Sequence, residues 1–151
     1  MYAKIVAICK SNKKGTKKRV INVGLFKKNY GLVGDIHAGH ENERQVSLLG
    51  IESIKEMQKL GLNVGPGDFA ENLTTEGIEL TSLIPGTKLF VGNEVVLEIT
   101  KLGKECHIKC DVFQKTGKCI MPKKGVFAKV VDGGIVKIGD EIKVSMMDRR
   151  E

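Results

Sequence analysis

Three of the chain's four cysteines, Cys106, Cys110 and Cys119, stand within fourteen residues of one another, and the fourth is Cys9. Thiolate, not thiol, is the nucleophile and the metal ligand, and nearby cations stabilise it. Cys106 sits in the run Lys104-Glu105-Cys106-His107-Ile108-Lys109, so its neighbours are charged rather than apolar. That setting suits a nucleophile, a sulfur carrier or a soft-metal ligand. A zinc site from Cys106, Cys110, Cys119 and a histidine is arithmetically open. Its spacing, Cys-x3-Cys-x8-Cys, lacks the paired Cys-x2-Cys knuckle. Cys9 closes an apolar run and reads as a buried small hydrophobe.

Two further stretches carry polar groups at suggestive spacing. In Gly34-Asp35-Ile36-His37-Ala38-Gly39-His40, two histidines three apart follow a carboxylate. They could ligate a metal, touch a substrate, or form a polar loop in which Asp35 caps backbone amides. Arg44 follows at the start of an apolar strand, beside Gln45. Its guanidinium could clamp a phosphate or carboxylate at two points, or pair with Glu41, Glu43 or Asp35. Gly65-Pro66-Gly67-Asp68-Phe69-Ala70-Glu71-Asn72-Leu73-Thr74-Thr75 is dense in turn formers, with Asp68, Asn72 and two threonines to bond loop backbone. Such a loop holds a ligand or makes a tight corner. No phosphate-cradling loop, dinucleotide fingerprint or nucleophile elbow occurs.

The elements that must position these groups are short. Glycine makes up 18 of 151 residues and punctuates brief apolar runs, a β-protein rhythm. Ala3 to Cys9 and Val20 to Val23 read as partner strands, and Glu43 to Leu49 as another. Gly50 to Leu60 reads as the clearest helix, with Ile51, Ile54, Met57 (or Gln58) and Leu60 near helical spacing and Gly61 as its stop. Positions 86–99 and 133–146 echo one another. In each a short strand meets Gly-Asn or Gly-Asp and then a longer strand, which predicts two hairpins closing parts of one barrel. The fold class is therefore mainly β, a single barrel-like domain over 1–151 with one or two short helices.

Composition narrows the function. The net charge is +7, but the first 34 residues hold nine Lys or Arg and no acid, while the remaining 117 hold sixteen basic and eighteen acidic residues. The excess is local. The run Lys13 to Arg19 reads as a solvated loop, with a ligand-facing edge as the alternative. With no Trp and two Tyr, the chain lacks the aromatic platforms of a single-strand binder, and no recognition helix is visible, so nucleic acid is not expected. No apolar run approaches membrane length and no secretory pattern opens the chain, so the expected setting is the reducing cytoplasm.

Together the motifs resemble the molybdenum cofactor sulfurase C-terminal (MOSC) domain, in its short stand-alone bacterial form. The likeness rests on Gly31 to Gly39, Arg44 to Leu49, Gly67 to Leu73, Gly103-Lys104-Glu105-Cys106-His107, and Met121 to Ala128 running into Gly139-Asp140. It implies a closed β-barrel and a link to the molybdenum cofactor (molybdopterin). It further implies a cysteine that carries sulfur or ligates molybdenum, for which Cys106 is the matching position. On this resemblance Lys104 and His107 would lower the Cys106 pKa, and Asp35, His37, Arg44, Asp68 and Asn72 would line a cofactor pocket. The chain has no room for the pyridoxal-phosphate domain of the family's sulfurases, so no pyridoxal phosphate is expected. A partner such as a cysteine desulfurase would supply sulfur, and the cofactor or a molybdoenzyme would receive it. A non-catalytic cofactor-binding or delivery module, with Cys106 as molybdenum ligand, is the alternative, and a structural zinc protein a third.

Overall fold

The structure, a computed structural model, describes residues 3–13, 18–39, 43–102 and 124–145. Its strands are β1 (Ala3–Lys10), β2 (Arg19–Ile21), β3 (Val23–Lys27), β4 (Gly31–Leu32), β5 (Val46–Gly50), β6 (Leu73–Glu76), β7 (Lys88–Val91), β8 (Val95–Leu102), β9 (Val126–Asp132), β10 (Gly134–Lys137) and β11 (Glu141–Val144). Seven of them close a barrel in the order β1, β11, β7, β8, β9, β5, β6 and back to β1. The expected closed, mainly β barrel is what the chain forms. All its junctions are antiparallel except β5–β6. A parallel pair needs a crossover, and helix α1 (Ile51–Lys59) with the loop after it supplies one.

Alternation decides what fills the barrel. Val95, Leu97 and Ile99 of β8 and Val126, Ala128 and Val130 of β9 point inward, and the residues between them are partly exposed. Strand β5 is buried at every position because both its faces are covered. Val46 and Leu48 join the barrel core, while Leu49 packs outward with Ile54, Met57 and Phe69 under α1 and its following loop. Ile54 and Met57 bear out the apolar spacing read in the sequence, but Leu60 caps the helix and is 67% exposed, outside that face, and Gly61, at φ +95°, turns the chain away. Among the described residues, no helix is long and apolar enough to cross a membrane.

A second, three-stranded sheet of β10, β3 and β4 lies against the barrel. Here the sequence echo misleads. Positions 86–99 do form the β7–β8 hairpin, but β10 and β11 do not pair with each other. Strand β10 joins β3, and β11 enters the barrel between β7 and β1. The corner between them is held by β1: Gly139 N–H donates to the Ile5 carbonyl (2.7 Å), and Ile5 N–H to that of Asp140 (2.8 Å). The Asp140 carboxylate meanwhile accepts from Lys137 N–H at 2.8 Å. Gly-Asp makes a bend in either arrangement, and the distant partner chooses between them.

Where β9 runs past the start of β5, a side chain replaces the missing strand. Gln45, buried beside Val46, accepts from Val130 N–H at 3.0 Å through Oε1, and Asn29 N–H donates to the Val130 carbonyl at 2.9 Å. This bond anchors the residue next to Arg44. Replacing Gln45→Met leaves a buried N–H without an acceptor, so we expect a loss of about 1–3 kcal/mol in urea unfolding with an unchanged slope.

Candidate functional site

The end of β1 and the segment after β4 are bound together by one carboxylate. Asp35 Oδ1 accepts from Ser11 N–H at 2.9 Å and from the Lys18 ammonium at 2.8 Å, and Oδ2 accepts from His37 N–H at 3.1 Å. The side chains of Lys18 and Asp35 are almost wholly out of water, at 1% and 0% exposure. Lys18 is thus not part of a solvated loop, which corrects that reading of the basic run at the one position where it matters most. Burial by itself would raise the Asp35 pKa. Hydrogen bonding on the His37 side, the Lys18 ammonium and the Ser11 N–H outweigh it and hold the carboxyl well below its ordinary range. The folded state therefore gains stability from Asp35 above the ordinary value of 3.8, and loses it as pH falls further.

Lys18 also orients the histidine. Its Nζ lies 3.0 Å from His37 Nδ1. An ammonium only donates, so in the tautomer that uses this contact Nδ1 accepts and Nε2 carries the proton, whereas in the other Nδ1 faces Asp35 Oδ2 at 3.6 Å. Asp35 and His37, both read from the sequence as site residues, are thus brought together by a lysine that the sequence did not single out.

The Gly65–Thr75 loop closes on the same segment from the other side. Lys18 N–H donates to the Gly67 carbonyl at 2.8 Å, and a Cβ on Gly67, at φ +88°, would lie 2.1 Å from the Lys18 carbonyl oxygen. Only glycine permits that approach. Asp68 accepts from Gly65 N–H at 2.9 Å, a bond within its own loop. Asn72 is fully buried: Oδ1 accepts from Ser47 N–H at 3.0 Å, and Nδ2 donates to the Cys9 carbonyl at 3.1 Å. Asn72 therefore joins β1, β5 and β6, and its amide is directed at backbone.

Glu71, which sequence reasoning passed over, is the deepest acid of this loop. Its Oε2 accepts from Gly67 N–H at 2.9 Å and Thr74 Oγ1–H at 2.7 Å, while Oε1 is buried with no protein partner. Burial raises its pKa to about 6, against hydrogen bonds that lower it. Cys9 is next to this charge, and burial followed by the Glu71 carboxylate pushes its thiol up to about 12. Cys9 is thus an inert, buried thiol, as its apolar run suggests.

Arg44 stands at the mouth of β5, half-buried, its guanidinium 5.0 Å from the centre of the Phe127 ring. Beside it Lys101 pairs with Glu43 at 3.2 Å, and Thr100 Oγ1–H donates to the Glu43 carbonyl. Asp35, a partner considered for Arg44, is engaged by Lys18 instead. Strands β8 and β9 end in the pair Leu102–Val126, one register step beyond Lys101–Phe127. Lys104, Cys106, His107, Cys110 and Cys119 follow Leu102 in the chain and lie outside the described residues, as does His40. Among the described residues no three His, Cys, Asp or Glu side chains come together as a metal site.

Above the buried pair opens a cavity of about 440 Å³ lined by Lys10, Ser11, Asn12, Arg19 and Gly34. Lys10 reaches across Gly34, where a Cβ would stand 2.9 Å from Nζ. Two cations, a hydroxyl and an amide around one opening suit an oxyanion. The local charge count pointed to this edge, but not to which of its cations face a common space.

The fold is a closed seven-stranded barrel with a cationic cavity at one strand end. A model of the MOSC domain matches residues 33–143, and the chain belongs to that family, which is linked to the molybdenum cofactor. The fold is similar to that of the YuaD protein from Bacillus subtilis, with 23% identity over 95% of this chain and 96% of that one and a TM-score of 0.79. It is similar also to YiiM from Geobacillus stearothermophilus, at 17% identity, 95% and 75% coverage and a TM-score of 0.73. YiiM from Escherichia coli gives 16%, 96%, 70% and 0.65. No curated protein matches by sequence.

Two outcomes test this geometry. Lys18→Met should cost about 3–5 kcal/mol, by stranding a buried carboxylate, and adding Asp35→Asn should restore most of the loss in a double-mutant cycle. For Glu71 the folded pKa is raised from 4.5 to about 6, so its contribution to stability is largest in acid and declines as pH rises through that window. In Glu71→Gln, stability measured from pH 4.5 to 7 should lack that decline, a difference on the order of 2 kcal/mol.

Proposed function

We propose that the protein is a molybdenum-cofactor-related sulfur carrier or sulfurtransferase that holds sulfur as a persulfide on Cys106. The single observation that carries this reading is the position of Arg44 and Lys101 at the strand ends from which the Cys106-bearing segment departs. Cations there, with Lys104 and His107 adjacent in sequence, favour the thiolate over the thiol. The Cys106 thiolate attacks the outer sulfur of a persulfide on a donor protein. A new S–S bond forms on Cys106, the donor's S–S bond breaks, and its electron pair leaves on the donor thiolate. No net oxidation occurs, and a cysteine desulfurase has the chemistry to be that donor.

The residues present fit part of the cofactor. Lys10, Ser11 and Arg19 would hold its phosphate, with His37 Nε2–H as a further donor. The cofactor, when bound, supplies a dithiolene-held molybdenum able to accept sulfur or a cysteine ligand. Asp35 holds Lys18 and His37 in place beneath the cavity; Asp68 and Asn72 shape the loop and strands around it.

The same cavity also favours the second reading, a non-catalytic cofactor-binding or delivery module with Cys106 as molybdenum ligand. Mass spectrometry separates the two. After incubation with a cysteine desulfurase and cysteine, the wild-type chain should gain about 32 Da, one sulfur atom, and Cys106→Ser should not. Equal uptake by Cys106→Ser would sink the sulfur-carrier assignment. A chain that takes up no sulfur, but binds the pterin cofactor and loses it on Arg19→Glu, would establish the delivery reading.

A further inference from the structure

The outer face of the small sheet is apolar at its centre and cationic at its edge. The registers place three aliphatic side chains in one row. Ile135 of β10 lies directly opposite Leu25 of β3, and Val33 N–H donates to the Leu25 carbonyl at 2.9 Å on the other side. Val23 and Lys137 form the next row, and Lys27 follows Leu25 on the same face. The inward residues of these strands, Phe26 and Val136, are buried in the core. By contrast Val23 and Leu25 are each 49% exposed, Ile135 is 45% and Ile138 41%. Single exposed aliphatics are ordinary, but a cross-strand row of them is not.

From this face we infer a docking surface for an acidic partner protein. The charge around the row selects that occupant. Lys27, Lys28 and Lys137 are exposed around the row, and positions 23–34 contain no acid. The acids nearest β10 stand at its ends: Glu94 lies against Gly134, Asp132 precedes the strand, and the Asp140 carboxylate accepts from Lys137 N–H beyond it. A second copy of the chain, related by a two-fold axis, would set these cations against themselves. The chain's own remaining segments do not complement them either: positions 103–123 carry five Lys against one Glu and one Asp. A bilayer is the poorer fit, since the patch has no Trp or Phe to seat at an interface. A flat aliphatic strip with a basic rim matches a protein surface of apolar centre and acidic rim. The strip is small, which suits a transient encounter steered by charge. The inference stands whether or not Cys106 carries sulfur.

Photo-crosslinking in living cells tests it, with benzoylphenylalanine in place of Leu25, of Ile135, or of Ile84, which is 57% exposed outside this sheet. The expected result is a common protein adduct from positions 25 and 135 and none from 84. Mass spectrometry should identify a partner whose cross-linked surface is acidic. Lys27→Glu with Lys137→Glu should reduce that adduct about tenfold, with the unfolding midpoint unchanged, because both side chains are at the surface. With the identified partner purified, Leu25→Ser with Ile135→Ser should weaken binding by a similar factor, and added salt should weaken the wild-type complex. No adduct, an adduct to a second copy or to lipid, or one indifferent to the charge reversal would each overturn the inference.

Discussion

An ammonium and a carboxylate 2.8 Å apart, both removed from water, hold the end of β1, the basic arm after it and the segment after β4 together. Neither Lys18 nor Asp35 could be buried alone, because an isolated charge in the interior costs far more than the fold can supply. Their pairing lets the basic hairpin arm after β1 fold down onto the segment after β4. It then leaves oxygens and hydrogens to spare for Ser11 N–H, His37 N–H and the His37 ring. The remaining cations of the same arm, Lys10 and Arg19, are left facing the cavity above.

The barrel provides the rigid frame on which that pair is useful. Its one parallel junction, β5–β6, forces a crossover, and the crossover brings the Gly65–Thr75 loop beside β1. Asn72 fixes this meeting through Ser47 and the Cys9 carbonyl, and Gly67 allows the loop to touch the Lys18 backbone. Glu71 remains at the seam, a buried carboxylate with one oxygen unpartnered by protein. Such a group is held by the surrounding structure rather than stabilising it at neutral pH.

The MOSC family is linked to the molybdenum cofactor. The cavity gathers two cations, a hydroxyl and an amide around one opening. The N-terminal charge excess thus divides into distinct parts. Lys18 is structural, Lys10 and Arg19 face the cavity, and Lys27 and Lys28 are exposed on and after β3.

Local chemistry was enough to read much of the architecture. The alternation of Val95, Leu97 and Ile99 predicts a strand with one dry face, and the spacing of Ile54 and Met57 predicts a helix lying on a sheet. Cys9 in an apolar run is inert for the reason its neighbours announce, and the cysteine-bearing stretch and the family motifs are visible without any coordinates. Asp35 and His37 could be singled out in the sequence because a carboxylate and histidines stand so close in one loop, and the structure does bring the two together. Their partner was not legible, since a lysine within a basic run looks solvated until a distant carboxylate is seen to bury it. Nor could β10 and β11 be told from a hairpin, because Gly139-Asp140 bends equally well in both arrangements, and the choice lay with Ile5 on β1. Periodicity and turn chemistry are properties of neighbours in the chain, and these the sequence by itself determined. Which charges share one space, which carboxylate stays dry and which strand pairs with which depend on contacts between remote segments, and only the tertiary structure decided them.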